Sequence, residues 1–232
     1  MNDKKDYWNT YWNLREIDEG DSPHQDIGRT INGVPVERKN WDKTLDYISN
    51  KLSIELQDSV LDICAGNGII SKHISKKCSQ VTSVDFSERL LKQIDVLKFK
   101  NIEVILADAR KIVFENNSFD KIIFYFSIQH FTKSEVIQLF RKFYGWLKPG
   151  GLLFVGDIPD SSRIWNFFNT EERRKIYFKS LESNSPVIGT WFDKIFFENL
   201  SQSLGFDEFN SIDQPKYQIN SHYRFDFTST KK

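Results

Sequence analysis

Between residues 59 and 157 two rhythms of apolar and polar positions take turns along the chain. Short, mostly apolar runs fall at residues 60–63, 81–84, 102–106, 121–126 and 152–155. Each is too short for a buried helix and is rich in β-branched or aromatic residues, so each reads as a strand. The run over 121–126 has no alternation after its lysine, as expected of a strand covered on both faces. Between the runs, apolar residues recur at helical spacing. Residues 69–76 make one such helix, and Ser87 stands as N-cap to another that has Leu90, Leu91, Ile94 and Leu97 on one face. Val136, Leu139, Phe140, Phe143 and Leu147 mark a strongly amphipathic helix, stopped by Pro149-Gly150-Gly151. Strand and helix alternating in this way predict a parallel sheet with helices on both faces, and crossover handedness leaves few topologies for it.

The flanks are looser. Residues 41–52 have helical spacing through Trp41, Leu45, Ile48 and Leu52, whereas 16–21 is acidic loop and 22–37 is dense in turn residues. Beyond Asp157, residues 161–183 look helical with a break at Asn169-Thr170. Residues 191–204 predict a further helix, and 206–212 and 222–227 alternate as two late strands. With no linker in sight, the expectation is one domain over 1–232. Residues 1–52 then form a helical and loop cap, and 158–205 a helical insertion near the substrate side.

Charge and composition narrow the function classes. Lysine plus arginine equals aspartate plus glutamate at 32 each, so no bulk charge favours nucleic acid or an anionic membrane. The 20 Phe, 8 Tyr and 6 Trp point to an aromatic core. Cys64 and Cys78 have no metal or redox spacing, the N-terminal stretch is too charged for a signal peptide, and no apolar run could span a bilayer. A cytoplasmic protein with a small-molecule partner, no nucleic acid, no membrane and no metal is the expectation; nothing in the sequence fixes its oligomeric state.

The chemistry gathers at the strand ends, where open parallel sheets bind ligands. Gly66-Asn67-Gly68-Ile69-Ile70-Ser71 nears the glycine fingerprint of dinucleotide sites, a turn that exposes backbone and helix N–H groups. Asp85 ends the second strand, where an acid can accept from ribose hydroxyls, or could simply cap the next helix. Asp62, just before the turn, would repel a pyrophosphate but suits a ligand that carries an ammonium group. Asp108, in LADAR, could accept from an adenine amino group or close an Asx turn. Cys64 stands where the first glycine of such loops is usual, and fits if its φ is negative and its side chain turns into the core.

In register, VLDICAGNG, VTSVDFS, LADAR, FDKIIFYFSIQHF and LKPGGLLFVGDIP resemble the class I S-adenosylmethionine-dependent methyltransferases over residues 60–159. The resemblance implies a Rossmann-like α/β fold: a seven-stranded, mostly parallel sheet with helices on both faces and its last strand antiparallel. It also implies S-adenosylmethionine as cofactor and S-adenosylhomocysteine as product. By it, Asp62, Ala65, Gly66 and Gly68 line the methionine part, Asp85 holds the ribose, Phe86 packs on the adenine, and Asp108 and Ala109 meet its edge. Cys64, Asn67 and Arg110 flank these positions and are counted with them, as is Phe126 at the end of the fourth strand. Tyr11, in YWNTYW, is a lid candidate, because similar enzymes close an aromatic N-terminal helix over the cofactor.

For the acceptor side, His130 is either a general base or a packed histidine at a helix start. Asp157 either orients a substrate hydroxyl or caps a helix. His24, Arg29, Trp191, Tyr223 and Arg224 are candidate substrate contacts, with Arg224 the anchor for a phosphate or carboxylate. No N-P-P-Y tetrad follows the fourth strand, which disfavours DNA-type amino methylation. A small polar acceptor methylated on oxygen or nitrogen remains, a sugar among the candidates. Two rivals stand beside it: a nicotinamide-dependent oxidoreductase, and a non-catalytic binding or regulatory member of the same fold.

Overall fold

Burial on both faces makes the central strands what they are. In β1 (Ser59–Ile63), Val60 and Leu61 point to opposite sides and both are fully buried. The same alternation runs through β4 (Phe119–Tyr125), where Ile122 and Phe124 face one core and Ile123 and Tyr125 the other. The computed structural model describes residues 4–15, 23–28, 30–31, 34–183 and 187–232. Within them, β2 (Gln80–Asp85), β3 (Ile102–Leu106), β5 (Leu147–Pro159), β6 (Phe206–Asp213) and β7 (Arg224–Lys231) complete a seven-stranded sheet in the order β3-β2-β1-β4-β5-β7-β6. β7 runs antiparallel to both of its neighbours, and the remaining pairings are parallel.

Helices cover both faces. Trp41, Leu45 and Ile48 of α2 (Arg38–Lys51) and Ile70 and Ile74 of α3 (Ile69–Ile74) pack on Val60, Ile123 and Phe154. α4 (Glu88–Leu91) follows β2. On the opposite face α5 (Lys133–Trp146) begins with a reciprocal capping box between Thr132 and Glu135. Its Phe140 and Phe143 meet Phe197 of α7 (Lys194–Leu204) and Phe225 and Phe227 of β7. α6 (Glu171–Glu182) buries none of its residues, and α1 (Lys4–Leu14) lies at the strand ends.

Three local expectations are redrawn. α4 stops after one turn, because Asp95 Oδ1 accepts from the backbone N–H of Leu97 and Lys98 and starts a new turn. Ile94 stays buried but Leu97 is 85% exposed instead of on the inner face. The turn expected at Pro149-Gly150-Gly151 lies inside β5, where the register shifts between Phe119 and Lys121 and Gly150 adopts φ +76°. The helix expected from residue 191 starts at Lys194, since Asp193 accepts from Phe196 N–H at 2.8 Å and leaves Trp191 in the preceding loop. α7 thus supplies core contacts, although it falls inside the segment expected as an insertion. The break expected at Asn169-Thr170 is present, with Thr170 capping α6.

Strand order reverses between β1 and β4, each beginning its own wing of the sheet. A ligand crevice opens at the carboxyl end of such a switch point. No helix among the described residues is long and apolar enough to cross a membrane.

Candidate active site

The β1–α3 turn is built left-handed three times over, with φ +60° at Cys64, +57° at Gly66 and +68° at Gly68. A Cβ on Gly68 would stand 2.5 Å from the Ile94 side chain, so that glycine is required by packing as well as by φ. At Gly66 there is room for a Cβ, with Ile27 3.5 Å away, and only the backbone conformation selects glycine. The negative φ expected of Cys64 is not found. The turn is tied to β2 by Ala65 N–H donating to Val84 O and Gly66 N–H to Asp85 Oδ2, both at 2.9 Å, and cysteine must adopt the glycine conformation. Burial raises the Cys64 thiol well above its ordinary range, with the Asp85 charge adding to the effect, so it is no nucleophile.

Three strand-end carboxylates converge on one crevice, whose other walls include Phe86, Ala109 and Phe126. Asp62 is 2% exposed. Ser83 Oγ donates to Ser71 Oγ at 2.7 Å, and Ser71 Oγ to Asp62 Oδ2 at 2.5 Å. Burial pushes the Asp62 carboxyl up to about 7, against the Ser71 bond and with the Asp85 charge. Asp85 accepts from Gly66 N–H and, at 2.8 Å, from Ser87 N–H. Burial still raises it, more than those bonds lower it. Capping of α4 falls to Ser87, which accepts from Leu90 N–H. Asp108 accepts from the Arg110 backbone N–H at 2.9 Å and from its guanidinium at 2.8 Å. Partial burial would raise Asp108, but Arg110 holds it below the usual carboxylate range. Arg110 also reaches Glu135 at 3.3 Å, which fastens the crevice rim to the start of α5.

Helix α1 roofs the crevice. Trp8 and Trp12 line it, and Trp12 Nε1–H donates to His130 Nε2 at 3.3 Å. The Trp8 ring lies 3.9 Å from that of His130. Tyr11, the expected lid residue, is on the outer side: it is 41% exposed, stacks with Tyr7 and accepts from Arg15. His130 does line the crevice, but as a covered imidazole. Burial, with the Arg224 charge, lowers it to about 3, and its Nε2 lone pair is already taken.

Asp157 lies outside this crevice, 1% exposed and with φ +60°, where β5 and β7 slip register between Val155 and Ile158. Gln214 donates to its Oδ1 at 3.2 Å and Asn220 to its Oδ2 at 3.3 Å, while Arg224 Nη1 donates to its backbone carbonyl at 2.5 Å. Arg224 is 3% exposed and stacks 5.0 Å behind the Phe126 ring, a stitch between elements rather than an open anchor. Tyr223 and Trp191 pack with Phe167 in an aromatic cluster, also away from the crevice walls. Asn67 is buried and donates to Pro23 O at 2.8 Å; it and Gly68 shape the turn from behind. Arg29 and the side chain of His24 lie outside the described residues. Among the described residues, no group of three or more His, Cys, Asp or Glu could hold a metal ion. The crevice also takes in Trp8, Trp12, Trp41 and Ser127, which sequence reasoning did not place there. The i, i+4 tryptophans were the available signal for the first two.

Comparison with known proteins points the same way. Residues 60–151 match the family described as Methyltransferase domain. A demethylmenaquinone methyltransferase of Listeria welshimeri is 28% identical over 159 residues, 63% of this chain and 61% of the relative. The match thus spans less than two thirds of that relative. A protein from Pyrococcus horikoshii superposes with a TM-score of 0.66 at 23% identity, over 91% of this chain and 96% of that one. The phosphoethanolamine N-methyltransferase 2 of Haemonchus contortus, solved with S-adenosyl-L-methionine, superposes at 0.64 and 17% identity, over 82% of this chain and 52% of its own. These structural likenesses are likenesses of fold.

Proposed function

We propose that this chain, whose residues 60–151 match the family described as Methyltransferase domain, is a class I S-adenosylmethionine-dependent methyltransferase that transfers a methyl group to a small molecule held between the strand ends and helix α1. The observation that carries the proposal is the convergence of Asp62, Asp85 and Asp108 on one otherwise largely apolar crevice. A dinucleotide would set its pyrophosphate against Asp62, whereas an ammonium group gives that buried carboxylate a counter-charge. Asp85 keeps lone pairs for ribose hydroxyls beyond its backbone bonds, and Phe86 offers a face for the adenine. Asp108 and Ala109 offer an acceptor and a backbone donor to the adenine edge. Trp8 and Trp12 present aromatic faces, which favour a cation.

When bound, S-adenosylmethionine supplies an electrophilic methyl group on a sulfonium. The chain's part is to hold the acceptor in line and to keep water out, and alignment alone is worth many orders of magnitude in rate. His130 is not set up as the base, because protonation at its Nε2 would break the Trp12 bond and charge a buried ring. In this reading it positions the roof. The acceptor is a small polar molecule, and the name of the Listeria relative makes a quinone-type ring the first to test. A cytoplasmic setting belongs to the same proposal.

Calorimetry tests the core of it. S-adenosylhomocysteine should bind and NADH should not. Asp85→Ala should weaken that binding by about 1–3 kcal/mol, the scale of lost charged hydrogen bonds. Wild-type affinity in that variant, with the fold intact by circular dichroism, would remove Asp85 from the site.

A further inference from the structure

Beside the crevice lies a second, much smaller chamber, which shares Trp41 and Tyr125 with it as walls. Its volume is about 10 Å³, room for a single oxygen-sized group. The far wall is the loop after β6, carrying Gln218 and Asn220, and Asp157 closes one side. Gln218 is 5% exposed, yet neither its Nε2 nor its Oε1 has a hydrogen-bond partner among the described residues. A buried amide with a donor and an acceptor both unmatched is costly, and native structures retain such groups where something else satisfies them.

The chemistry of the walls selects what that is. A neutral amide presents one kind of donor and one acceptor, and the group that answers both is a hydroxyl, which accepts and donates through one atom. A carboxylate or phosphate could not donate to Oε1 and would face Asp157. No cation is among the lining residues to receive an anion, and Arg224, 3.8 Å from the Asp157 carboxylate behind the wall, is already committed to that acid, to its backbone carbonyl and to Gln129. An ammonium would leave Nε2 unmatched.

Building on the methyltransferase reading, we propose that this chamber seats one hydroxyl of an uncharged, hydroxylated ring, bound as methyl acceptor against Trp41 and Tyr125. Gln218 is then a specificity residue that admits neutral hydroxylated acceptors and rejects anionic ones. The seated hydroxyl is the anchor, and methylation falls elsewhere on the ring, in the crevice.

The test uses the full chain saturated with S-adenosylhomocysteine, with 1,4-dihydroxybenzene as probe and terephthalate as its anionic counterpart, both followed by ligand-observed NMR. The diphenol should bind and terephthalate should not. Gln218→Leu should weaken diphenol binding roughly tenfold, with S-adenosylhomocysteine affinity unchanged. Gln218→Glu, nearly isosteric, should do the same if the leucine variant fails to fold. Absence of diphenol binding to the loaded wild type overturns the proposal, as does equal binding to the folded variant, which would make the chamber a water site. Failure of S-adenosylhomocysteine itself to bind would instead remove the methyltransferase reading, and the acceptor seat with it.

Discussion

Cys64 shows how a residue can be placed correctly by sequence and its conformation missed. The glycine turn and its place at the crevice are visible in VLDICAGNG, but φ at residue 64 is imposed by bonds from the turn to β2 that no local pattern encodes. An L-residue in the left-handed region costs about 1–2 kcal/mol, and losing the small, half-buried side chain offsets part of the gain from glycine. Cys64→Gly should therefore raise the unfolding free energy by up to about 1 kcal/mol in urea titration, and Cys64→Val should lower it by about 2 kcal/mol or more. A valine variant as stable as wild type would dismiss the strain. Asp62 carries a prediction of a different kind. Its carboxyl holds a proton up to about 7, but an ammonium ligand needs the carboxylate. Affinity for S-adenosylhomocysteine should accordingly climb as pH rises through 7 and level off above it. Asp62→Asn should flatten that profile over pH 5.5–8.0, and a profile equally steep in the variant would place the titrating group elsewhere.

Among elements, α1 was legible as an aromatic helix but not in its orientation. Tyr7 and Tyr11 have the same spacing as Trp8 and Trp12, so periodicity alone cannot say which pair turns inward. The choice is made by partners remote in sequence: His130 takes the Trp12 indole N–H, and Arg89 of α4 grips the Trp12 carbonyl at 3.2 Å. Arg89 also pairs with buried Asp26 at 2.7 Å, and so fastens both N-terminal segments over the crevice. It does not line the crevice itself. Arg89→Ala should thus loosen the roof without removing a wall. Release of S-adenosylhomocysteine in stopped flow should quicken about three- to tenfold while association changes little, since tighter or looser seating is expressed mainly in the off-rate. An unchanged off-rate would make the roof independent of this arginine. The helix start at Lys194 was displaced for a similar reason: Asp193 caps it, and the apolar Trp191 before it belongs to the cluster around Phe167.

For the molecule as a whole, the alternation of buried runs and amphipathic helices was enough for the parallel sheet, and the two late strands were visible as its completion. What could not be read is the buried polar cluster at the β5–β7 slip, because its members come from widely separated stretches. Asp226 Oδ1 accepts from Asp157 N–H and Gln214 Nε2, both at 2.8 Å, and burial pushes the Asp226 carboxyl up to about 7 from an ordinary 3.8 in spite of those bonds. A folded carboxyl that keeps its proton longer than the unfolded one contributes stability that is complete below the unfolded pKa. That stability is lost as pH rises, because the unfolded chain ionises first, and the loss levels off above about 7. Asparagine keeps the acceptor oxygen for both bonds and cannot ionise. Asp226→Asn should therefore compare worst with wild type near pH 5 and gain on it by pH 8, by an amount on the order of 2–4 kcal/mol. Urea unfolding of both proteins at the two pH values measures this directly. A gap that stays constant, or widens toward pH 8, would mean that Asp226 is ionised in the folded protein. Arg224, 3% exposed and 3.8 Å from Asp157, would then be neutralising two buried carboxylates instead of one.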